Sequence, residues 1–192
     1  MSERQDIFNQ CVNAYNEALS LIADMDKTCQ RLSGNTWDTR VTFMQFDLLL
    51  QGVLLHIALA DGHFDLYEQQ FIDKITDHGD LMKFIESKTN GELDFQWADV
   101  NQLSRQEQLG FLNMVDTWLQ SDICDDFIRP LATLDAATDD NKMDKLIRQM
   151  STIAEGMGRI DGQLVQADIE AYAKTVYDLI ADRWQYYKTH VE

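Results

Sequence analysis

A single proline, Pro130, stands in 192 residues. Proline removes a backbone donor and collides with the preceding turn, so a chain almost without it can carry long, unbroken helices. Phe8, Cys11, Val12, Tyr15, Ala18, Leu19, Ile22, Met25, Cys29 and Leu32 step by three and four. That period predicts a first helix over about 2–32 with one apolar face. Ser33-Gly34-Asn35 closes it, Gly34 being suited to a left-handed C-terminal cap. A second helix is expected over about 37–60. It is apolar on nearly all sides after Phe43 and should therefore be central. Its densest run, Leu48 to Ala60, is shorter than the ~20 residues a bilayer requires and reads as a buried core helix.

Asp61-Gly62 stops that helix. Asp65 and Glu68, three apart, match a capping box, in which each side chain satisfies a backbone N–H of the first turn. Ser104 and Glu107 repeat the device ahead of Leu109, Leu112, Met114, Val115, Trp118 and Leu119. The stretch from His78 to Asp99 is irregular, with short helical pieces and an Asn90-Gly91 turn. Helix continues or restarts over about 123–137, with Pro130 at a boundary or kink. Two further helices are expected, over about 139–159 and about 165–187. No strand-like alternation of useful length occurs, so the expected fold class is all-α.

Composition narrows the function classes. Apolar residues make up 45%, which excludes a disordered chain. The net charge is −17, from 33 acidic and 16 basic residues. That sign argues against nucleic acid, which is held by Lys and Arg, and against anionic membrane surfaces. Most of it sits in residues 61–144, where nineteen acids face six bases. A solvated acidic surface, a cation or a basic partner each fits such a block. Cys11, Cys29 and Cys124 are far apart, odd in number and without a CxxC pair, as in a reducing compartment. The start, Met-Ser-Glu-Arg-Gln-Asp, has neither a basic nor an apolar signal region, so no membrane insertion and a cytoplasmic location are expected.

A short repeat lies within the helical pattern. Ile57-Ala-Leu-Ala-Asp61-Gly62-His-Phe64 compares with Met157-Gly-Arg-Ile-Asp161-Gly162-Gln-Leu164. In both, a helix ends in Asp-Gly, an apolar residue follows, and a second acid (Glu68, Asp168) stands seven places after the first.

This pattern resembles the TerB-like family of tellurite-resistance and related stress proteins, whose hallmark is an Ala-x-Ala-Asp-Gly corner with an acid early in the next helix. Ala58-Leu59-Ala60-Asp61-Gly62 with Glu68 is similar to that hallmark. Ile160-Asp161-Gly162 with Asp168 is a weaker copy, having Asp for Glu and Val165 where a capping residue is expected. The resemblance covers about residues 38–185. It implies an all-α bundle with two pseudo-repeated helix-corner-helix units (61–68 and 161–168) in a domain over 35–192, to which the helix over 1–34 is added. It further implies a non-catalytic stress-response protein that acts through a divalent cation and a protein partner. The implied cation ligands are Asp61, Glu68, Asp161 and Asp168.

Physical chemistry permits that reading and offers a plainer one. Ca²⁺ and Mg²⁺, and less readily Zn²⁺, take carboxylate oxygens, and a helix end leaves free carbonyls beside Asp61. One corner supplies Asp61, Asp65 and Glu68, too few for Ca²⁺, so both corners would have to converge. The plainer reading takes Asp-Gly as a turn pair and Asp65 with Glu68 as a capping box. It leaves the spacing at Asp168 unexplained.

Other groups point less far. His56 reads as a hydrogen-bonded core histidine and His63 as a solvated turn residue. Asp77-His78 reverses the order used by metal phosphohydrolases. Asp139-Asp140 with Asp144 reads as a solvated helix start, and Gly156-Met-Gly158 lacks the lysine of a phosphate loop. The stripe of the first helix is either internal packing or a seam for a partner or a homodimer. An interaction module without metal, using the acidic surface or that helix, is therefore the alternative to the cation-binding reading.

Overall fold

The structure, a computed structural model, describes residues 3–34, 38–90, 97–160 and 166–190. Among them every regular element is helical. Helix α1 spans Glu3–Ser33, α2 Thr39–Ala58, α3 Leu66–Ile75, α4 Leu81–Lys88, α5 Trp97–Val100 and α6 Arg105–Leu119. A π-helical segment, Gln120–Cys124, joins α6 to α7 (Asp125–Thr138), and α8 spans Lys142–Met157. Helix α9 (Gln166–Ala173) passes through a second π-helical segment, Lys174–Ala181, into α10 (Asp182–Thr189).

Helix α2 is the axis of the bundle. From Phe46 to Val53 and on to Ala58 its side chains are buried almost without interruption, and it touches α1, α3, α4, α6, α7, α8 and α9. By length and apolarity alone Thr39–Ala58 is a helix able to cross a membrane, more than the run Leu48 to Ala60 implied. Its sides are spent inside the bundle instead, each fully buried Leu contributing about 2 kcal/mol.

The stripe of α1 has an internal partner. Ile7, Cys11, Ala14, Tyr15, Ala18, Ile22 and Met25 are buried, and α8 is their main neighbour. The two helices approach closely because Gly156 has no side chain: a Cβ there would collide with Cys11 Sγ. Most of the stripe is thus packed from within, while Leu32 at its end stays 63% exposed.

The segment 78–99 holds short helical pieces as expected, and one boundary, the start of α8, differs. Helix α4 is opened by Asp80, whose carboxylate accepts from the N–H groups of Met82 (3.1 Å) and Lys83 (3.2 Å). The helix expected from Asp139 begins at Lys142. Asp139 closes α7 with a left-handed backbone, φ 52°, and α8 is capped across the loop by the buried carboxylate of Asp135. It accepts from the N–H groups of Lys142 (3.2 Å) and Met143 (2.7 Å). Pro130 lies inside α7 without ending it.

Candidate functional site

The first corner is built by short-range rules. Gly62 turns the chain with φ 87°, and its N–H donates to the Leu59 carbonyl at 3.1 Å. One oxygen of Asp61 accepts the His63 N–H at 2.8 Å, an Asx turn. Phe64 is driven into the core, and the amide of Asn101 pairs with both backbone groups of Phe64. The capping box forms as expected: Asp65 N–H donates to Glu68 Oε2 at 2.7 Å, and Glu68 N–H to Asp65 Oδ1 at 2.8 Å.

The carbonyls at the end of α2 are not free, contrary to the expectation from the sequence. Arg105 donates to the Leu59 carbonyl and, through Nη2, to that of Ala60 at 2.9 Å. Gln108, buried on α6, donates to the Gly62 carbonyl at 3.0 Å. Arg105 sits in the first turn of its own helix, where a cation is disfavoured, but its guanidinium lies over the negative end of α2. The protein thus supplies its own cation at the place where a bound metal would have found carbonyl oxygens. Asp65 and Glu68 are engaged as caps, leaving the exposed Asp61 carboxylate as the outward-facing acid of this corner. Among the described residues no three His, Cys, Asp or Glu side chains are grouped to hold a metal ion. Asp161 lies outside the described residues, and so does the side chain of Asp168, which is carried on α9.

The helices that lead into the two corner sequences, α2 and α8, end beside each other. Ile57, in the last turn of α2, and Gly158 and Arg159, at the end of α8, line one cleft of about 460 Å³. Ala154 and Glu155 of α8 and Ile169 and Tyr172 of α9 complete its wall. Ile160, just before the second corner, lines a neighbouring groove with Tyr67 and Phe71 of α3, which follows the first corner. Arg159 also reaches Glu3 at the start of α1, at 3.6 Å.

A buried polar clamp, invisible in the residue spacing, fixes the turn after α3. Asp47 is fully buried on α2 and accepts from Tyr15 Oη at 2.8 Å. It also accepts the successive N–H groups of Asp77 (2.9 Å), His78 (2.5 Å) and Gly79 (3.2 Å). Tyr15 spends its one proton on Asp47, so His78 Nδ1–H is the donor in the 3.0 Å contact with Tyr15 Oη. Burial and the adjacent Asp47 charge push the Tyr15 phenol upward from its ordinary range. One turn on, Gln51 binds Thr76 Oγ1 and the Gly79 carbonyl, both at 2.7 Å, and accepts the Leu81 N–H at 2.9 Å. A carboxylate within Phe46-Asp47-Leu48 is the one sequence signal that could have revealed the clamp, because a buried charge requires partners.

His56 bonds Asp116 of α6 through Nε2 at 2.6 Å and fastens α2 to α6. His63 is exposed and joins the corner through its backbone N–H. Neither His56 nor His78 lines the cleft. Set against known proteins, the chain matches no family model, no curated protein and no solved structure.

Proposed function

We propose that this chain is a non-catalytic binding module whose partner seats an apolar side chain in the cleft between the ends of α2 and α8 and the start of α9. The observation that carries the reading is the shared cleft itself, in which Ile57 and Gly158 bring the last turns of two helices side by side. Its volume falls in the range of about 300–1,000 Å³ typical of ligand sites. Apolar walls with Glu155 and Arg159 at the rim give such a site both driving force and orientation. Ile169 stands 42% exposed at its edge, an apolar group left for something to cover. The histidine–acid pairs support a non-catalytic role, since His56–Asp116 and His78–Tyr15–Asp47 hold elements of the fold together.

A TerB-like, tellurite-resistance-type stress protein that binds a divalent cation is the second reading. One observation favours it: the helices that precede Asp61 and Asp161 end beside each other. With the carbonyls of Leu59, Ala60 and Gly62 already taken, Asp161 and Asp168 would have to supply much of the coordination. Calorimetric titration of Ca²⁺, Mg²⁺ and Zn²⁺ into metal-free protein tests this reading. Saturable heat that is lost in Asp61→Asn plus Asp161→Asn supports it, and a wild type without saturable heat removes it. The first reading is tested by a photo-reactive residue at Glu155, on the cleft rim, in cells of the native host. A discrete protein adduct from Glu155, absent when the probe stands at exposed Leu109 of α6, is the expected result. No adduct, or the same one from both places, would overturn it.

A further inference from the structure

Away from the corners, α2 and α7 enclose a second groove of about 260 Å³. Its lining includes the apolar groups Val41, Phe127, Pro130 and Leu131, with Asp38 and Asp126 as its carboxylates. We infer that this groove docks a basic segment of a protein partner, the aliphatic stem of a lysine or arginine lying on the apolar floor and its charged head meeting Asp126 and Asp38. The surface is distinct from the corner cleft and does not depend on it.

Three features of the groove select that occupant. The first is how its two acids are used. Asp125, one residue earlier, is taken up by Arg183, by Tyr187 Oη at 2.6 Å and by Arg129 at 3.5 Å. Asp126 lies instead on the groove side of α7, exposed, with no hydrogen bond among the described residues; the Arg129 guanidinium feels its charge but forms its ion pair with Asp125. Asp38 caps α2 through the Arg40 N–H and meets the Arg40 side chain at 3.3 Å, an exposed local pair that a partner's cation can displace at little cost.

The second feature is Pro130. It has no N–H, so the carbonyl of Asp126, four residues earlier, lacks its α-helical donor. Lys and Arg heads are donors only, so a carbonyl deprived of that donor suits them. The third is the mixed chemistry. Val41 is 44% exposed, and Phe127 and Leu131 form a dry floor beneath it. A compact inorganic cation gains nothing from that floor, whereas lysine and arginine stems bury methylenes while their heads stay at the rim. The groove also lies partly within the acidic stretch 61–144, whose field draws a basic chain toward it before contact.

Fluorescence anisotropy with the full chain tests the inference, using a short labelled peptide of alternating lysine and leucine and a glutamate–leucine peptide as control. Saturable binding of the lysine peptide alone is expected, weakened about tenfold by Asp126→Lys. The same charge change at Asp24→Lys, on the exposed side of α1, should weaken it less than about threefold, since distant surface charges are screened. Val41→Asn should weaken binding several-fold while leaving its salt dependence unchanged, as loss of an apolar contact requires. If Asp126→Lys does not fold, judged by its circular dichroism melt, Asp126→Asn replaces it with an expected loss of about threefold. Absence of saturable binding, equal binding of the glutamate peptide, or equal losses from Asp126 and Asp24 would each overturn the inference.

Discussion

Arg105 Nη2 donates to the Ala60 carbonyl at 2.9 Å, tying the first turn of α6 to the last carbonyls of α2. The contact closes the corner and neutralises a helix end that would otherwise attract a cation. Arg105→Met should therefore destabilise the fold by about 1.5 kcal/mol, the usual worth of hydrogen bonds to a charged donor at a partly exposed site. Urea unfolding measures it. An unchanged midpoint would mean that water serves the helix end equally well.

The Asp47 clamp carries a larger stake. Asp47→Asn leaves one carbonyl oxygen and a donor where a carboxylate accepted Tyr15 Oη and three backbone N–H groups, and it should cost about 3 kcal/mol. Tyr15→Phe alone should cost about 1.5 kcal/mol. Because both changes disrupt one network, the double variant should lose less than the sum of the two. Strict additivity in chemical denaturation would contradict the clamp.

How much of this was legible beforehand depended on range. The starts of α3 and α6 were readable because a capping box lies within four residues, as at Asp65–Glu68 and Ser104–Glu107. The length of α1 followed from its period, and its partner α8 did not. Arg105 looks in sequence like any helix-start cation, because its acceptors lie 45 and 46 residues away. Asp135 likewise reads as one more acid near an acidic turn until the loop folds back and presents two N–H groups to it. The first corner could be named from its spacing, but not which carbonyls were free, and that decided its chemistry.

Close approach of α1 and α8 makes a steric prediction. Gly156→Ala places a methyl against Cys11 Sγ and should destabilise by about 2 kcal/mol, an overpacking effect. Cys11→Ala in the same chain should restore part of that loss in a thermal melt. No rescue would place the strain elsewhere.

Thiol reactivity should follow burial. The Cys11 thiol is pushed up to about 12 by burial, against a smaller lowering by Arg159, and burial pushes Cys124 up to about 11. Cys29 is only half-buried. In the native chain at about pH 8, a disulfide reagent should modify Cys29 first and reach the other two only on unfolding, since the thiolate is the reactive form. Rapid labelling of all three would contradict the packing of α1 on α8 and of the π segment on α2.

Asp135 gives a pH dependence with a definite sign. Burial, only partly offset by the Met143 and Lys142 N–H groups, raises its carboxyl above the ordinary range. The folded state therefore holds that proton more tightly, and its stabilising contribution fades as pH rises from the ordinary carboxylate range through the raised value. Asp135→Asn should destabilise more at about pH 4 than at about pH 7 in urea unfolding. The opposite order would mean that the cap to α8 outweighs burial.

On the proposed function, a partner occupies the cleft at the ends of α2 and α8 and needs no metal to do so. Photo-capture from Glu155 measures this directly when it is run with a chelator and with Ile169→Glu, a change at the exposed rim. The expected result is an adduct whose yield survives chelation and falls about tenfold with Ile169→Glu, as for a lost interface anchor. Capture abolished by the chelator, or unaffected by Ile169→Glu, would contradict it.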